Sequence, residues 1–354
     1  MVRLEGVGRR YGPVTALTDI NLDIVEGEFL TLLGPSGSGK TTLLNLIAGT
    51  VEVTTGRVWI DGRDVTGTPP MARGLGMVFQ NYALFPHMTV GENIAFPLRV
   101  RRLPEREIRR KVAEVLDLVR LPEVTGRKPK ELSGGQQQRI AIARCLVYDP
   151  SLVLMDEPLG ALDKKLRQQM QLEIKRLHTL LGMTIVYVTH DQEEALVMSD
   201  RICLMHDGRI EQLGTASDLY FRPATVFAAD FLGESNLLDG ECVAVASESL
   251  TVRTAGGVAM SGLTSVGLAR GDRCKLVIRP ENIALLGPNN VAPCIAEGVL
   301  EEMIFVGGVT NFRVRLHDGV ILTAKRLTTE ARLALTPGAS VRLGWRAADV
   351  VVLR

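Results

Sequence analysis

The sequence predicts an α/β fold followed by a separate small all-β domain. Three observations carry that expectation. Phe29–Leu33, Leu152–Met155 and Thr184–Thr189 are short apolar runs without alternation, the pattern of strands buried on both faces. Residues at helical spacing separate the last two runs, and strands alternating with helices imply a parallel sheet. Beyond about residue 235 the helical stripes stop and short alternating strands replace them. The expected division is therefore 1–235 and 236–354, with residues 221–236 as the connector.

Length and composition agree with this division. At 354 residues two domains are expected and three are possible, and 46% hydrophobic residues suffice to fill their cores. Lys plus Arg number 41 against 40 Asp plus Glu. That balance argues against a protein held on nucleic acid by bulk charge, so no nucleic-acid partner is expected. Five cysteines (Cys145, Cys203, Cys242, Cys274, Cys294) are scattered without metal-ligand spacing, which suits a reducing compartment and small buried thiols. The opening Met-Val-Arg-Leu-Glu-Gly has no apolar segment of the signal-peptide kind, and no run is long enough to span a bilayer. If the protein serves transport, the membrane path is expected in other chains.

Along the chain, residues 1–33 read as β hairpins feeding a strand. A glycine-rich loop follows, then a helix over Thr42–Ala48 carrying Leu43, Leu44, Leu46 and Ile47 and stopped by Gly49. Arg57–Ile60 with Asp61-Gly62 signals a hairpin. Residues 104–120 form a helix with an apolar stripe of Ile108, Val112, Val115, Leu116 and Val119. Arg106, Arg109, Arg110 and Lys111 lie mostly off it, as a solvated face or, alternatively, beside a membrane or partner. Leu162, Leu166, Met170, Ile174, Leu177 and Leu181 mark a further helix ending at Gly182. Met155, Met170 and Met183 read as packing residues. In the tail Phe312, Val314 and Leu316 alternate, Asp318-Gly319 turns, and Val320, Leu322 and Ala324 alternate back. Val341, Leu343 and Trp345 alternate again, and a barrel is expected.

Three motifs carry chemistry. Gly34-Pro35-Ser36-Gly37-Ser38-Gly39-Lys40-Thr41 matches G-x-x-x-x-G-K-[ST] between an apolar strand and a helix. Its glycines let backbone N–H groups turn inward around phosphate oxygens. Lys40 brings positive charge to the β and γ phosphates, and the Thr41 hydroxyl can ligate Mg²⁺. Asp156-Glu157 ends a buried strand, where a carboxylate is costly without a cation. Asp156 is assigned to Mg²⁺, directly or through water, and Glu157 is the candidate base for an attacking water. Leu132-Ser133-Gly134-Gly135-Gln136-Gln137-Gln138-Arg139 opens another helix. Ser133 is a natural N-cap, and two glycines leave amides accessible to an anion. A second phosphate-type site suggests a nucleotide supplied by another copy of the chain.

Leu-Ser-Gly-Gly-Gln between those two motifs resembles the signature of ATP-binding cassette ATPases, and the likeness extends over roughly residues 1–235. The resemblance implies a P-loop NTPase (RecA-like) core with antiparallel β and helical subdomains, the helical one at about 85–150. It implies ATP and Mg²⁺ as ligands. ATP would lie on Gly34, Pro35, Ser36, Gly37, Ser38, Gly39, Lys40, Thr41 and Thr42, with Tyr11 of Arg-Arg-Tyr-Gly-Pro-Val stacked on adenine. Thr41, Gln80 and Asp156 would hold Mg²⁺. Gln80 follows Met-Val-Phe and resembles the Q-loop glutamine. His190, in Val-Thr-His-Asp-Gln-Glu-Glu-Ala, resembles the switch histidine at the γ-phosphate. Glu157, His190 and Gln80 are thus the catalytic set. Ser133, Gly134, Gly135 and Gln136 would meet the nucleotide of a second copy in a head-to-tail homodimer. Asp163, in Leu-Gly-Ala-Leu-Asp, resembles the D-loop at the dimer seam. The catalytic pattern shows no departure from that of the family.

The tail narrows the resemblance. Val277-Ile278-Arg279-Pro280-Glu281-Asn282-Ile283 is similar to the Arg-Pro-Glu segment of the OB-like TOBE domain in importer ATPases. That likeness implies two transmembrane permease subunits as partners, a periplasmic or extracellular solute-binding protein acting indirectly, and a peripheral place on the cytoplasmic face of the inner membrane. Asn81–Val90, His190–Leu196 and Phe231–Asn236 look most like the spermidine/putrescine type. Ferric-iron, phosphonate and sugar importers stay open, because the ATPase subunit does not hold the specificity pocket. Two other classes are a soluble regulatory ATPase without a membrane partner and an OB-type nucleic-acid binder in the tail. The neutral charge balance and lack of an aromatic run weigh against the second.

Overall fold

A computed structural model describes residues 1–245, 249–254, 257, 259–264, 267–287, 290–329 and 335–354. The chain divides into two compact units, Met1–Ala216 and Ser217–Arg354.

The first unit opens on strands β1 (Val2–Tyr11), β2 (Val14–Ile24) and β3 (Phe29–Leu33), then helix α1 (Lys40–Ala48). Next come β4 (Thr55–Ile60), β5 (Arg63–Asp64), α2 (Pro70–Arg73) and β6 (Gly76–Val78). Helices α3 (Val90–Val100), α4 (Glu105–Leu118) and α5 (Gly134–Leu146) follow. The unit then alternates β7 (Leu152–Asp156), α6 (Lys164–Leu181), β8 (Thr184–Thr189), α7 (Gln192–Met198), β9 (Arg201–His206) and β10 (Arg209–Gly214).

Two sheets result. One is antiparallel in the order β2-β1-β4-β5, and the other runs β10-β9-β3-β8-β7-β6. In the second sheet every pairing from β9 to β6 is parallel, and β10 is an antiparallel edge. The uninterrupted apolar runs have the expected cause, since each face of this sheet packs on a different core. Phe29, Val153, Met155, Ile185 and Tyr187 belong to a core shared with α3, α4, α5 and α6. Leu30, Leu32, Leu152, Leu154, Val186 and Val188 belong to one shared with α1 and the antiparallel sheet.

Local signals act as expected. Gly49 caps α1 at φ 80, and Gly182 caps α6 at φ 61. Asp61 (φ 50) and Gly62 (φ 73) form the left-handed pair that a tight β4–β5 hairpin needs. The α4 stripe is buried, while Arg110 pairs with Glu114 and Lys111 with Asp149, the solvated-face reading of the basic cluster. All five cysteines are unpaired and four are buried. Among the described residues no helix is long and apolar enough to cross a membrane.

The second unit carries α8 (Ala216–Phe221) and α9 (Val226–Phe231), then β11 (Asn236–Val245), β12 (Ser249–Thr254), β13 (Ala259–Thr264) and β14 (Arg273–Ile278). It continues with β15 (Ala284–Leu286), β16 (Cys294–Val306), β17 (Val309–Leu316), β18 (Ile321–Leu327), β19 (Ser340–Trp345) and β20 (Val350–Leu353). Strands β11-β12-β13-β20-β14 close a barrel, and β15-β19-β16-β17-β18 form an open five-stranded sheet. The alternating strands at 312–316, 320–324 and 341–345 that suggested a barrel lie in the open sheet instead. The β17–β18 hairpin turns through Gly319 at φ 84.

The connector expected at 221–236 belongs to this unit rather than lying between domains. Ala229 packs with Val277 and Leu353, and Arg279 bonds the Tyr220, Ala229 and Glu234 carbonyls. A guanidinium so placed gathers α8 and α9 against the barrel, which moves the boundary to 216/217.

Candidate nucleotide site

The three parallel strands β3, β7 and β8 end side by side, and each delivers one part of a site at its C-terminal end, where open α/β sheets place ligands. After β3, residues 34–39 loop over the start of α1. Gly39 caps the helix at φ 99, and a Cβ there would meet Leu17 Cδ2 at 2.7 Å and Ala16 O at 2.9 Å. Only glycine fits. The first turn of α1 contains no acidic residue, so its positive end is open to an anion. Lys40 is 5% exposed and donates to Gly34 O and Pro35 O, both at 2.8 Å, leaving a third proton. Burial lowers its pKa, and the Glu157 and Asp156 carboxylates oppose that. Beside it the buried Ser38 hydroxyl has no hydrogen-bond partner. Thr42 is half-buried in the first turn.

After β7, Asp156 accepts a bond from Thr41 Oγ1 at 3.1 Å. Burial raises the Asp156 pKa and the Thr41 hydroxyl pulls it back. Glu157 follows in a left-handed conformation, φ 42, with its N–H on Val188 O at 3.0 Å. A non-glycine residue held there stores strain of about 1–3 kcal/mol, and such strain gathers at functional sites. Gln80, just beyond β6, donates Nε2–H to Glu157 Oε2 at 3.4 Å. His190, just beyond β8, places Nδ1 at 3.2 Å from Glu157 Oε1. Glu157 thus stands between Gln80 and His190, and the three sequence-predicted catalytic residues meet.

These residues fit the groups that the sequence implies. The partnerless Ser38 hydroxyl, the spare Lys40 proton and the acid-free helix terminus suit phosphate oxygens. Among the described residues no cluster of three metal-ligating side chains exists. Mg²⁺ does not need one, because it binds through one or two carboxylates together with substrate phosphates. Asp156, with Thr41 on it and Gln80 near, can supply that part.

Other predicted residues stand apart. Ser133 caps α5 in a reciprocal box with Gln136: Gln136 N–H reaches Ser133 Oγ at 3.4 Å, and Ser133 N–H reaches Gln136 Oε1 at 3.0 Å. Among the described residues no hydrogen bond joins Ser133–Gln136 to Lys40 or Glu157. Gly134 and Gly135 also let α5 approach the Leu162 and Leu166 side chains, since a Cβ on Gly135 would lie 2.8 Å from Leu166 Cδ1. Asp163 caps α6 by accepting from Leu166 N–H. Tyr11, at the end of β1, is 44% exposed with the Arg9 guanidinium 4.5 Å from its ring centroid.

Two supports escaped the sequence reading. Asn93, fully buried in α3, bonds both backbone groups of Phe85. Arg144 donates to Tyr82 O and Ala83 O and lies over the Phe85 ring. They fix the segment that follows Gln80. Asn93 was detectable as a polar residue on the apolar stripe of Val90, Ile94 and Leu98. Arg144 gave no signal, because arginine on a helix usually reads as solvated.

Comparison with known proteins identifies the family. Residues 17–160 match the family model described as ABC transporter, and residues 276–353 match that of the TOBE domain. The spermidine/putrescine import ATP-binding protein PotA of Rubrobacter xylanophilus is 48% identical, over 99% of this chain and 93% of that one. Its counterpart from Thermobifida fusca is 46% identical over the same shares. Among solved structures, the dimeric structure of MJ0796, a bacterial ABC transporter cassette, is 37% identical with a TM-score of 0.55, over 61% of this chain and 99% of that one. The cbiO1 protein of Clostridium perfringens is 28% identical with a TM-score of 0.59, over 65% and 92%. The chain belongs to the ATP-binding cassette family of transporter ATPases.

Proposed function

We propose that this ATPase drives polyamine import, of spermidine or putrescine, through two separate permease subunits, from the cytoplasmic face of the membrane. The meeting of Gln80, Glu157 and His190 beside Lys40, Thr41 and Asp156 carries the ATPase part of the reading. Likeness over nearly the whole chain to spermidine/putrescine import proteins supports the substrate.

Lys40, Thr41, Thr42 and the Gly34–Gly39 loop, through its N–H groups other than at Pro35, bind the triphosphate of one ATP, and Tyr11 stacks on its adenine. Ser133, Gly134, Gly135 and Gln136 of a second copy close on the same γ-phosphate, with Asp163 at the seam, so each chain holds half of two sites. Among the described residues Ser133 and Gln136 bond each other in a capping box and not Lys40, which is compatible with this arrangement. Glu157 takes a proton from water as the water oxygen bonds the γ-phosphorus and the bond to the β–γ bridging oxygen breaks. Gln80 and His190 orient Glu157, and His190 also faces the γ-phosphate. Mg²⁺, when bound through Thr41, Asp156 and Gln80, neutralises charge on the β and γ oxygens. Closure passes to the permease subunits through Gln80–Pro86, the segment held by Asn93 and Arg144.

The test is the ATPase rate of the complex reconstituted with its permease subunits and solute-binding protein, across polyamines, sugars, ferric iron and phosphonates. Stimulation by spermidine or putrescine alone is expected. Stimulation by another class reassigns the substrate, and failure to co-purify permease subunits returns the soluble regulatory reading.

A further inference from the structure

The Leu159–Asp163 loop and His190 follow different strands, β7 and β8, yet one side chain holds the supports of both. Arg167, in the first turn of α6, donates from Nη2 to Leu162 O at 3.1 Å and from Nη1 to Asp191 Oδ2 at 3.0 Å. Asp191 follows His190 directly and uses its other oxygen to cap α7, accepting from Glu193 N–H at 2.8 Å and Glu194 N–H at 3.2 Å. The third arm of the guanidinium is unspent. Arg167 Nε is buried without a hydrogen-bond partner and lies 3.9 Å from Glu194 Oε1. Glu194 is fixed from its other oxygen, which accepts the Tyr187 and Thr189 hydroxyls at 2.7 Å each. A cavity of about 30 Å³ lies among Glu157, Arg167, His190 and Glu194, room for one water.

We propose that Arg167 is a positioning residue for ATP hydrolysis, the link through which displacement of the Leu159–Asp163 loop reaches His190 and Glu157. The inference rests on the ATPase site described above. The guanidinium is a rigid planar fork, so moving Leu162 O turns Nη2 and with it Nη1 against Asp191. Asp191 cannot follow freely, because it is tied to the start of α7. His190, one residue away, moves instead. The unspent Nε–H and the adjoining cavity give the fork a second resting place, closed on Glu194 Oε1 directly or through a water. Two discrete arrangements of one packed element are what energetic coupling between two sites requires. An unpaired buried donor costs about 1–3 kcal/mol, a cost that closure of Nε–H on Glu194 Oε1 relieves.

Hydrogen exchange on the full chain carrying Glu157→Gln, with and without Mg-ATP, tests this. ATP is expected to protect Gly34–Thr41, Leu159–Asp163 and His190–Glu194 together. Adding Arg167→Lys keeps the charge and removes the fork, so Leu159–Asp163 stays protected while His190–Glu194 loses about tenfold in protection. In the otherwise unaltered chain, Arg167→Lys lowers kcat about tenfold with KM within about twofold. Arg167→Gln goes further in the same direction. Unchanged protection of His190–Glu194 overturns the proposal, as does a KM rise that simply follows a lower melting temperature. If ATP protects Gly34–Thr41 in no variant, the ATP reading fails first and the coupling falls with it.

Discussion

Among the described residues the first unit buries the cations Lys40 and Arg73 and the second buries Arg279, and Lys40 and Arg279 are treated in opposite ways. Arg279, 4% exposed, is satisfied by its own surroundings. It bonds Tyr220 O, Ala229 O, Glu234 O and Ser235 Oγ and lies over the Tyr220 ring, whose hydroxyl donates to Glu281. Lys40, 5% exposed, bonds two carbonyls of its own loop and stops there, beside a buried hydroxyl with no partner and two carboxylates on one strand end. Burial lowers both pKa values first. The difference lies in what completes each group. Where the chain finishes the hydrogen bonding, the cation is architecture. Where it leaves donors over, a ligand is required to finish it.

The largest effect is expected at Glu157. Glu157→Gln keeps the bonding shape and removes the base, so turnover should fall by about 10²- to 10⁴-fold while ATP affinity persists. A steady-state ATPase assay checks this, and near wild-type turnover would remove Glu157 from the role of base. Lys40→Ala takes away the unfinished cation. ATP affinity should drop by about 30- to 100-fold, the loss expected of a charge-assisted bond to phosphate, with little change in melting temperature. Titration calorimetry reads the affinity.

Arg279→Ala should show the reverse pattern. The second unit loses stability by about 2–4 kcal/mol, from stranded carbonyls and the space left behind, while ATP affinity is unchanged. Denaturant unfolding monitored at Trp345 measures it. Asn236 is satisfied within the chain in the same way, with a smaller side chain. Its amide donates to Ile278 O and Thr323 O and accepts from Thr323 N–H, joining barrel to open sheet. Asn236→Ala should cost about 1–3 kcal/mol in the same experiment.

The smallest effect is one of sign. The Asp156 pKa is raised in the folded chain, so just above the ordinary carboxylate range the folded state binds more protons than the unfolded one. Stability without nucleotide therefore falls as pH rises through that window. Asp156→Asn should raise the melting temperature of the ligand-free chain slightly near neutral pH, while weakening Mg²⁺-dependent turnover. A lowered melting temperature would mean that Asp156 is already satisfied within the chain.

Legibility in the sequence follows the same divide. The phosphate loop, the strand-end carboxylates and His190 were readable because their chemistry fixes residue type and spacing over short stretches. The parallel sheet was readable because both of its faces are buried, so Leu152–Met155 and Thr184–Thr189 carry no charged residue before Asp156 and His190. The open sheet and closed barrel of the second unit were merged, because alternation at Phe312–Leu316 reports one buried face and not which sheet supplies it. Arg167, Arg144 and Arg279 were invisible as supports. Arg144 and Arg279 act through backbone carbonyls distant in sequence, which leave no mark on residue identity, and Arg167 acts through a nearby carbonyl and a carboxylate 24 residues on. The connector was misplaced for that reason, since Arg279 captures it from beyond the barrel's first strands.

The site left unfinished within one chain is proposed to be completed by a second. Sedimentation equilibrium of Glu157→Gln tests this most directly. With ATP the species should sediment at twice the 38.6 kDa chain mass, and it should return to one chain mass with ADP or when Ser133→Arg is added. A chain that binds ATP and stays at 38.6 kDa at every concentration tested would contradict it.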